Sequence, residues 1–591
     1  MRQRPTRRLR LATIVTLVAG GAVAGVAGFA RSSAAPAAVT TAAKPAAASA
    51  DATQPVDLTL EREDDPPGIP VPAITSTQAA ATVVFGRFTS AQVNVNAQQA
   101  NIVGDGANEP SIAVDPTNPN RMVIGWRQFD TISSNFRQAG YGYTTDGGVT
   151  WTAGKINPGV FRSDPVLDFD AEGRVYYNSL MGNFTAQVYP SSDGGATWGA
   201  NVAAFGGDKQ WMTIDRTASA GHDQFYEAWS TASNPTPPNT FSRSINDGVS
   251  WQSPIAIPNS PIWGTLDVAS DGTLYIVGTA GPGSTIYVTH SLDARNSGST
   301  PTFTTVPVSL GGTIRFQPAM NPAGLAGQLW IGVDRSGGPH DGWVYVLASV
   351  QTPTDPLDVM FIRSTDGGNT WSTPRRVNDD PTGTRAYQWF GTMSVAPNGR
   401  IDAVWNDTRG SADTTMSALY YSYSDDGGTT WSVNEQASPT WNATIGWPNQ
   451  QNKIGDYCTM ISRTDGADLA WAATFNGEED VYYTRITLPN AGVAERLPPR
   501  FRLRGNLPNP FATSTAIDFE APTGGGAMHL AVYDAAGRRV ATLVDGVVDG
   551  GPHTVRWNGL DNGGHAVGSG LYLCRLEAAG AAETRKLMRL R

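Results

Sequence analysis

The chain has 591 residues, of which 40% are hydrophobic and 16% charged, and its 42 basic and 52 acidic side chains give a net charge of −10. This acidic balance disfavours a nucleic-acid-binding protein. Two cysteines exclude a disulfide scaffold and a zinc site built from four cysteines. The 65 Gly and 40 Pro residues favour a turn-rich β protein over one with long helices.

The N-terminus combines a basic segment with an apolar one. Five of the first ten residues are Arg, and residues 11–30 carry no charge. This is the pattern of a secretory signal, which we place at 1–35, with a single membrane anchor as the alternative. Residues 36–81, rich in Ala, Pro, Thr and Ser, are predicted to be a disordered linker, so that folded structure begins near Thr82.

One eight-residue pattern recurs along the middle of the chain and ends each time in Trp. Its Ser or Thr hydroxyl and its carboxylate can accept hydrogen bonds from turn amides, Gly supplies positive φ, and Trp opens the next strand. The pattern therefore predicts tight hairpin turns in which Asp146, Asp193, Asn246, Asp366 and Asp426 are structural. The EF-hand spacing is absent, and no metal site is expected. The copies read TTDGGVTW at 144–151, SSDGGATW at 191–198, SINDGVSW at 244–251, STDGGNTW at 364–371 and SDDGGTTW at 424–431.

This pattern resembles the Asp box, or BNR repeat, of sialidases and related β-propellers. Around the boxes, seven units of short strands run from PSIAVD at 110–115 to DVYYTRITL at 480–488, which is the periodicity of a propeller. The fold class is therefore expected to be all-β, with an Asp-box propeller over 82–488. Sialidases have six sheets, so six is the fallback to the count of seven. The segment TVVFGRF, which begins at Thr82, is a candidate for the missing outer strand of the seventh unit.

The last ninety residues differ in character from the propeller segment. A hinge is predicted at 489–505, and alternating strands with regular turn signals over 506–591 predict a small β-sandwich. These residues resemble the Ig-like domain of the flagellar hook-capping protein and the C-terminal sorting domain of type IX secretion substrates. The resemblance implies an exported bacterial protein, secreted or held at the cell surface, whose last domain contacts the secretion machinery; an accessory domain that spaces the propeller is the alternative. The residues that carry it are Asn509-Pro510-Phe511, Tyr533-Asp534, Trp557-Asn558-Gly559 and Ser569-Gly570-Leu571-Tyr572.

A propeller places its ligand at the mouth of the central channel, near the start of each innermost strand and in the loops that follow the second strands. Acids, arginines and aromatic residues together at one mouth suit an anionic sugar, because Arg binds a carboxylate as a rigid fork. The candidates chosen by position are Glu109, Asp164, Lys209, Trp211, Gln388, Trp389, Asp456, Tyr457, Arg127, Asp130, Asn406, Asp407, Arg409, Glu478, Glu479, Arg162, Arg315 and Arg385.

The resemblance to sialidases implies a role for each of several candidates. Three Arg would hold the substrate carboxylate, an Asp would be the acid/base, and a Tyr activated by a Glu would be the nucleophile. The Phe/Tyr-Arg-Ile-Pro motif of sialidases is absent, and Asn108-Glu109-Pro110 stands in the equivalent strand, so the assignments rest on position. They are Arg127, Arg315 and Arg409 as clamps, Asp130 or Asp164 as acid/base, Tyr457 as nucleophile, Glu227 as its base, and Trp389 and Asp407 as further substrate contacts.

The first functional expectation is a secreted sialidase-like glycoside hydrolase whose partner is a glycan substrate. The first alternative is a non-catalytic surface propeller that binds glycans or proteins, which a closed central channel would favour. The second alternative is another Asp-box polysaccharide hydrolase or lyase. No paired His motif, G-x-S-x-G segment or phosphate loop is present in the sequence, and no cofactor is expected.

Overall fold

The computed structural model describes residues 68–488 except 282 and 284, and residues 502–521, 526–578 and 581–590. Every regular element in these ranges is a β-strand. No helix among the described residues is long and apolar enough to cross a membrane. The predicted signal segment lies outside the described residues, as do most of the predicted linker and hinge.

Four short strands come first in the described part of the chain. The strands are β1 (Thr77–Ala79), β2 (Thr82–Phe85), β3 (Phe88–Gln92) and β4 (Ala100–Ile102). Strand β1 pairs with β4, so regular pairing begins before Thr82, where the sequence had placed the start of folded structure. Strands β2 and β3 form a hairpin that belongs to the last sheet of the propeller.

Six of the propeller's sheets, called blades 1 to 6, follow in chain order, and successive strands pair as antiparallel neighbours in each of them, except that β28 of blade 6 pairs with β26. Blade 1 contains β5 (Gly106–Val114), β6 (Met122–Phe129), β7 (Arg137–Thr144) and β8 (Thr152–Ile156). Blade 2 contains β9 (Ser163–Phe169), β10 (Val175–Leu180), β11 (Ala186–Ser191) and β12 (Val202–Ala203). Blade 3 contains β13 (Trp211–Ile214), β14 (Phe225–Ala228) and β15 (Phe241–Ser244). Blade 4 contains β16 (Leu266–Val268), β17 (Leu274–Thr279), β18 (Ile286–Ser291) and β19 (Thr304–Val308). Blade 5 contains β20 (Trp330–Val333), β21 (Val344–Val350), β22 (Asp358–Ser364) and β23 (Arg375–Arg376). Blade 6 contains β24 (Gln388–Val395), β25 (Ile401–Asp407), β26 (Met416–Ser424), β27 (Glu435–Gln436) and β28 (Trp441–Asn442).

Blade 7 joins the two ends of the propeller segment. It contains β29 (Thr459–Arg463), β30 (Gly466–Ala473) and β31 (Asp480–Thr487), and its strand order is β2-β3-β31-β30-β29. Strand β3 pairs with β31, with Ser90 opposite Thr484. The expectation that TVVFGRF supplies the outer part of this sheet is confirmed, although the segment contributes a hairpin rather than one strand. The described propeller segment therefore has seven blades.

The innermost strands of the blades form a closed ring, because β5, β9, β13, β16, β20, β24 and β29 contact one another in succession and β29 contacts β5. Hydroxyl groups on or directly before three of these strands accept hydrogen bonds from the next blade. The Leu167 amide donates to Ser111 Oγ at 3.0 Å, the Ile331 amide to Thr265 Oγ1 at 3.0 Å, and the Ile112 amide to Thr459 Oγ1 at 2.7 Å. The last of these bonds links blade 7 to blade 1.

The Asp boxes form hydrogen-bonded turns. Asp146 Oδ1 accepts from the amides of Val149 and Thr150 at 3.0 Å, and its Oδ2 accepts from the Thr150 hydroxyl at 2.6 Å. Gly148 has a φ of +88°, and a Cβ there would lie 2.2 Å from the ring of Tyr483 in blade 7. The box therefore requires glycine both for its backbone conformation and for the approach of the next blade. The corresponding carboxylates of Asp193, Asp366 and Asp426 accept bonds from the Thr four residues later.

Two boxes depart from this pattern. In the third box, Asn246 Oδ1 accepts from the Ser250 amide, and its Nδ2 donates to the Ser250 hydroxyl at 2.9 Å. In blade 4, Asp293 takes the bonds of a box from the amide and hydroxyl of Thr302, nine residues later. The hydrogen-bonded turn is thus preserved in blade 4 although the sequence pattern is lost there. The Asp carboxylate accepts from the amide and hydroxyl of a Thr, as in the other boxes, but across a longer loop.

The C-terminal strands form two facing sheets around one core. The strands are β32 (Arg502–Leu507), β33 (Thr515–Ala521), β34 (Gly526–Asp534), β35 (Arg539–Val548), β36 (Gly551–Trp557), β37 (Gly570–Ala578) and β38 (Ala581–Arg589). The sheet orders are β32-β33-β36 and β35-β34-β37-β38. Ile517, Phe519 and Trp557 of one sheet share a buried cluster with Leu530 and Leu576 of the other. This is a β-sandwich with its own hydrophobic core.

We expect Asp366→Ala to lower the free energy of unfolding by about 1–2 kcal/mol, because it removes the acceptor for several turn hydrogen bonds. Bonds from Thr370 and Ser364 lower the pKa of Asp366 to about 2. Asp366→Asn should cost less, since Asn246 already fills this position in the third box. Urea denaturation at pH 7 measures both effects, and an equal loss in the two variants would contradict this account of the box.

Candidate functional site

Five of the seven innermost strands have a non-glycine residue in the left-handed backbone region within a few residues of their start. These residues have φ values between 44° and 58°, a conformation that costs free energy in any residue with a Cβ. The residues are Glu109, Asp164, Lys209, Trp263 and Phe390. Three of them are charged, and these three contribute to one buried cluster at the centre of the ring.

We call this group the ionic cluster; it contains four carboxylates and three cations. Lys209 Nζ lies 2.9 Å from Asp456 Oδ2 and 3.2 Å from Asp164 Oδ2. Lys453 Nζ lies 2.8 Å from Asp456 Oδ2 and 3.6 Å from Glu109 Oε1. These pairs connect blades 1, 2, 3 and 7 across the centre. The members of the cluster are Glu109, Arg127, Asp164, Asp208, Lys209, Lys453 and Asp456.

Burial and charge set the protonation of the cluster. Burial alone would lower the pKa of Lys209, but the carboxylates of Asp164, Asp208 and Asp456 raise it well above its usual value. Burial raises the pKa of Glu109 to about 8 despite the nearby cations Arg127 and Lys453. With Glu109 protonated at neutral pH, three carboxylates balance three cations. The cluster is thus an internally neutral unit.

An aromatic plug, formed by Trp211, Trp330 and Tyr457, closes the centre of the ring beside the ionic cluster. The ring of Trp211 makes edge-to-face contacts with Trp330 and with Tyr457, at centroid distances of 5.3 and 5.2 Å. The Tyr457 hydroxyl donates a hydrogen bond to the Pro165 carbonyl oxygen at 2.9 Å, and only 2% of the residue is exposed. The three aromatic residues come from blades 3, 5 and 7, which are not adjacent, so their mutual contact blocks the channel at this level.

The structure brings together three of the residues assigned from position. Arg127, Asp164 and Tyr457 all lie in or against the ionic cluster, and Glu109 and Asp164 act together with burial to raise the pKa of Tyr457. Arg127 Nη2 lies 3.2 Å from Glu109 Oε1, and its Nε donates to Asn108 Oδ1 at 2.8 Å. Each of these side chains is buried and has partners inside the protein.

The other assigned residues lie elsewhere. Asp130 accepts from Lys155 Nζ at 2.7 Å on the outer part of blade 1, and Trp389 Nε1 donates to Ser417 Oγ inside blade 6. Arg315 is partly buried in the loop between β19 and β20. The structure therefore does not gather the whole positional set into one pocket.

Glu227 is buried between blades 2 and 3, in the middle of β14. Its Oε1 accepts a hydrogen bond from Asn178 Nδ2 at 2.8 Å. Among the described residues, Glu227 Oε2 and Asn178 Oδ1 have no hydrogen-bond partner. Burial raises the pKa of Glu227 to about 8. A proton on this carboxyl removes the buried charge and supplies a donor where the two unpartnered oxygen atoms can otherwise only accept.

Arg409 and Asp407 line an open cleft on the outer part of the mouth, which we call the rim cleft. It has a volume of about 700 Å³ and lies between blades 5 and 6. Arg409 Nε lies 2.7 Å from Asp407 Oδ2, and its Nη1 lies 2.5 Å from Asp379 Oδ1. Its guanidinium also covers the ring of Tyr420, with 4.4 Å between Cζ and the ring centroid. The residues that line the cleft include Asp379, Asp380, Thr384, Arg385, Asp407, Thr408, Arg409, Ser411, Thr414 and Tyr420.

Sequence reasoning missed three charged residues that matter here. Asp379 and Asp380 hold Arg409 in the rim cleft, and Lys453 bridges two carboxylates in the ionic cluster. The acid pair directly before Pro381 could have marked the first site, and the spacing of Lys453 three residues before Asp456 could have marked the second. Asp379 and Asp380 contact Arg409, and Lys453 contacts Glu109, across long stretches of sequence. A search by position relative to the strands therefore did not select these three residues.

The comparisons with known proteins agree with this architecture. Residues 509–582 match the family model of the FlgD Ig-like domain, which confirms the predicted Ig-like domain at the C-terminus. No curated protein sequence matches the chain. The fold therefore defines an all-β protein: a seven-bladed β-propeller followed by an Ig-like domain.

Several solved structures align with this chain at low identity and low TM-score. A protein of unknown function from Dyadobacter fermentans is 13% identical, with 68% of this chain and 98% of that chain covered and a TM-score of 0.38. PorZ, a surface component of the type-IX secretion system of Porphyromonas gingivalis, is 13% identical, with 86% and 75% covered and a TM-score of 0.30. The GH93 α-L-arabinofuranosidase of Fusarium graminearum is 13% identical, with 47% and 92% covered and a TM-score of 0.30. At these identities and TM-scores, none of them assigns an activity to this chain.

We expect Lys209→Met to lower the free energy of unfolding by about 3–5 kcal/mol, because it leaves buried carboxylates without their cation. Lys155→Met is the matched control: its partner Asp130 is partly exposed, so the loss should stay below about 1 kcal/mol. Urea denaturation of the two variants beside the wild type tests this, and equal losses would contradict a stabilising role of the ionic cluster.

We expect Glu227→Gln to gain stability relative to the wild type as the pH rises from about 4.5 to about 8. Folding raises the pKa of Glu227 from 4.5 to about 8. The contribution of Glu227 to the free energy of unfolding of the wild type is therefore fully present below pH 4.5 and is lost as the pH rises through 8. The difference should reach the order of 3–5 kcal/mol. Denaturation curves at several pH values measure it against Glu172→Gln, an exposed control, and parallel profiles would show that Glu227 is ionised in the folded protein.

Proposed function

We propose that the protein is an exported β-propeller that binds a neutral polysaccharide in its rim cleft and does not cleave it. One observation carries this proposal. Arg127, Asp164 and Tyr457, three of the side chains expected to perform sialidase chemistry, are buried at the ring centre with partners inside the protein, whereas the rim cleft is open and lined by polar residues.

The ring centre lacks the accessibility that a covalent mechanism requires. A nucleophilic phenol must reach the sugar and lose its proton to a neighbouring base. Tyr457 is 2% exposed, and its hydroxyl already donates to the Pro165 carbonyl oxygen. Burial and the nearby carboxylates of Glu109 and Asp164 raise its pKa, which opposes ionisation. These features support a structural role for Tyr457 in the aromatic plug.

The charges of the rim cleft favour a neutral ligand over an anionic one. Three carboxylates, those of Asp379, Asp380 and Asp407, surround Arg409 within 3.6 Å. Because they already neutralise this guanidinium, Arg409 offers little attraction to a substrate carboxylate. Arg385, which also lines the cleft, is exposed.

The remaining polar groups of the cleft suit a polyhydroxylated ligand. Hydroxyl groups of Thr384, Thr408, Ser411 and Thr414 line the cleft together with the exposed carboxylate of Asp379. Hydroxyls both donate and accept hydrogen bonds and carboxylates accept them, so together they match the hydroxyl groups of a sugar. A cleft of about 700 Å³ has the size of a site for a short oligosaccharide.

A glycan array of neutral and anionic polysaccharides, probed with the purified exported protein, tests the proposed ligand class. We expect binding to neutral glycans, and at least a tenfold weaker affinity in Arg385→Ala and in Asp379→Asn. Arg335→Ala is the matched control: Arg335 is also partly exposed and pairs with Asp267, but lies on blade 5 away from the cleft. An unchanged affinity in both cleft variants would contradict the location of the site.

Incubation of the same protein with the glycans it binds, followed by measurement of released sugar, tests the absence of cleavage. We expect no release above a protein-free control. Release of sialic acid or of another sugar that Tyr457→Phe abolishes would overturn the proposal and favour a glycosidase centred on the channel.

We also propose that the protein is exported and that residues 506–591 direct its sorting. The basic and apolar N-terminal segment supports export, and the match of residues 509–582 to the FlgD Ig-like domain supports a separate role for the C-terminal domain. The experiment compares the amounts of cell-surface and released protein with and without residues 506–591. Unchanged surface display would contradict the sorting role and favour a spacer.

A further inference from the structure

Three carboxylates form a second buried acidic group, far in sequence from one another. Asp105 precedes β5, while Glu478 and Asp480 lie at the start of β31. One oxygen atom from each lies within 4.8 Å of the others. The exposed fractions of the three residues are 1%, 6% and 0%. We call them the closure carboxylates, because they lie where blade 7 meets blade 1.

The described residues provide these carboxylates with no cation. None of the three forms an ion pair within the described part of the chain, in contrast to the ionic cluster, where every carboxylate has a Lys or Arg partner. Buried charges in proteins are paired or coordinate metals.

One oxygen of this group is left without a partner. Asp105 Oδ2 accepts from Gln128 Nε2 at 2.8 Å, but Asp105 Oδ1 is buried and has no hydrogen-bond partner among the described residues. An unpartnered carboxylate oxygen beside two further buried carboxylates is an acceptor site that a proton, a water molecule or a cation can fill.

Side-chain amides complete the surroundings. Nδ2 of Asn94 donates to Asp480 Oδ1 at 2.8 Å, and Nδ2 of Asn101 donates to Glu478 Oε1 at 2.7 Å. Gln92 Nε2 donates to Asp480 Oδ1 at 2.8 Å. A half-turn of any of these amides would present its carbonyl oxygen in place of its NH₂ group. The shell can therefore supply both carboxylate and amide oxygens, and it contains no sulfur or imidazole.

We propose that the closure carboxylates form a calcium site that fastens the ends of the propeller. Ca²⁺ takes several oxygen ligands from carboxylates, amide carbonyls and water in flexible geometry. Mg²⁺ keeps most of its water and suits such a dry site less well, and Zn²⁺ favours nitrogen and sulfur ligands. The ligands come from blade 1 and from blade 7, with amides from β3 and β4 around them. A bound Ca²⁺ thus stabilises the closed ring against opening.

Calorimetric titration of the chelator-treated, dialysed full protein with CaCl₂ tests the site. We expect one Ca²⁺ bound per chain, with Mg²⁺ at least tenfold weaker. At a 100-fold excess of Ca²⁺ over its Kd, the midpoint of thermal unfolding should rise by roughly 4 °C, because the ion binds only the folded state. A wild-type protein that binds no Ca²⁺ at 1 mM and shows no shift would overturn the proposal and indicate that shared protons neutralise the group.

Two substitutions locate the binding. Asp105→Asn keeps the size of the side chain and removes its charge, and we expect at least a tenfold loss of Ca²⁺ affinity. Glu172→Gln is the control, since Glu172 belongs to a separate and exposed group with His222 and Asp223, and its Ca²⁺ affinity should equal that of the wild type. Binding lost in Glu172→Gln and kept in Asp105→Asn would place the ion elsewhere and overturn the proposal. If Asp105→Asn does not fold, the calorimetric titration and the thermal shift of the wild-type protein still test whether Ca²⁺ binds.

Discussion

The pairing of β3 with β31 is the constraint on which the rest of the structure depends. It places strands from both ends of the propeller segment in one sheet and so turns seven consecutive hairpin units into a closed ring. An open arrangement would leave the blade 1 and blade 7 faces in water and expose their apolar surfaces. The entropic cost of bringing the two ends together grows only slowly with the length of the chain between them. The hydrogen bonds between β3 and β31 and the packing of blade 7 on blade 1 therefore suffice to hold the ring closed.

Ring closure also decides what can occupy the centre. Lys209, Asp164, Asp456 and Tyr457 come from blades that are distant in sequence, and they meet only because the ring is shut. Their charges are nearly balanced and their side chains are buried, so the centre serves to join blades rather than to hold a ligand. The proposed ligand site is at the rim instead, where the cleft beside Arg409 is open to solvent. A propeller fold is therefore compatible with binding without a reactive centre.

Burying a carboxylate is energetically unfavourable, and the buried acids of this protein differ in how this cost is offset. In the ionic cluster, carboxylates are paired with Lys and Arg. At Glu227, a raised pKa favours the neutral acid beside Asn178. At the closure carboxylates, neither an ion pair nor a complete set of hydrogen bonds is present in the described structure, and the proposed bound cation would neutralise their charge.

The sequence by itself determined the all-β class, the turns at the Asp boxes, the count of seven blades and the Ig-like C-terminal domain. Each of these depends on local patterns: Gly and Asp at fixed turn positions, alternating strands, and a Trp after every box. The sequence did not determine which charges meet. Arg409 is held by Asp379 from the preceding blade, Glu109 by Lys453 from the opposite end of the propeller segment, and Asp105 lies beside Asp480 only through ring closure. Tertiary structure decided these contacts, because ion pairing and burial depend on distance in space, which the periodic pattern of a propeller leaves open.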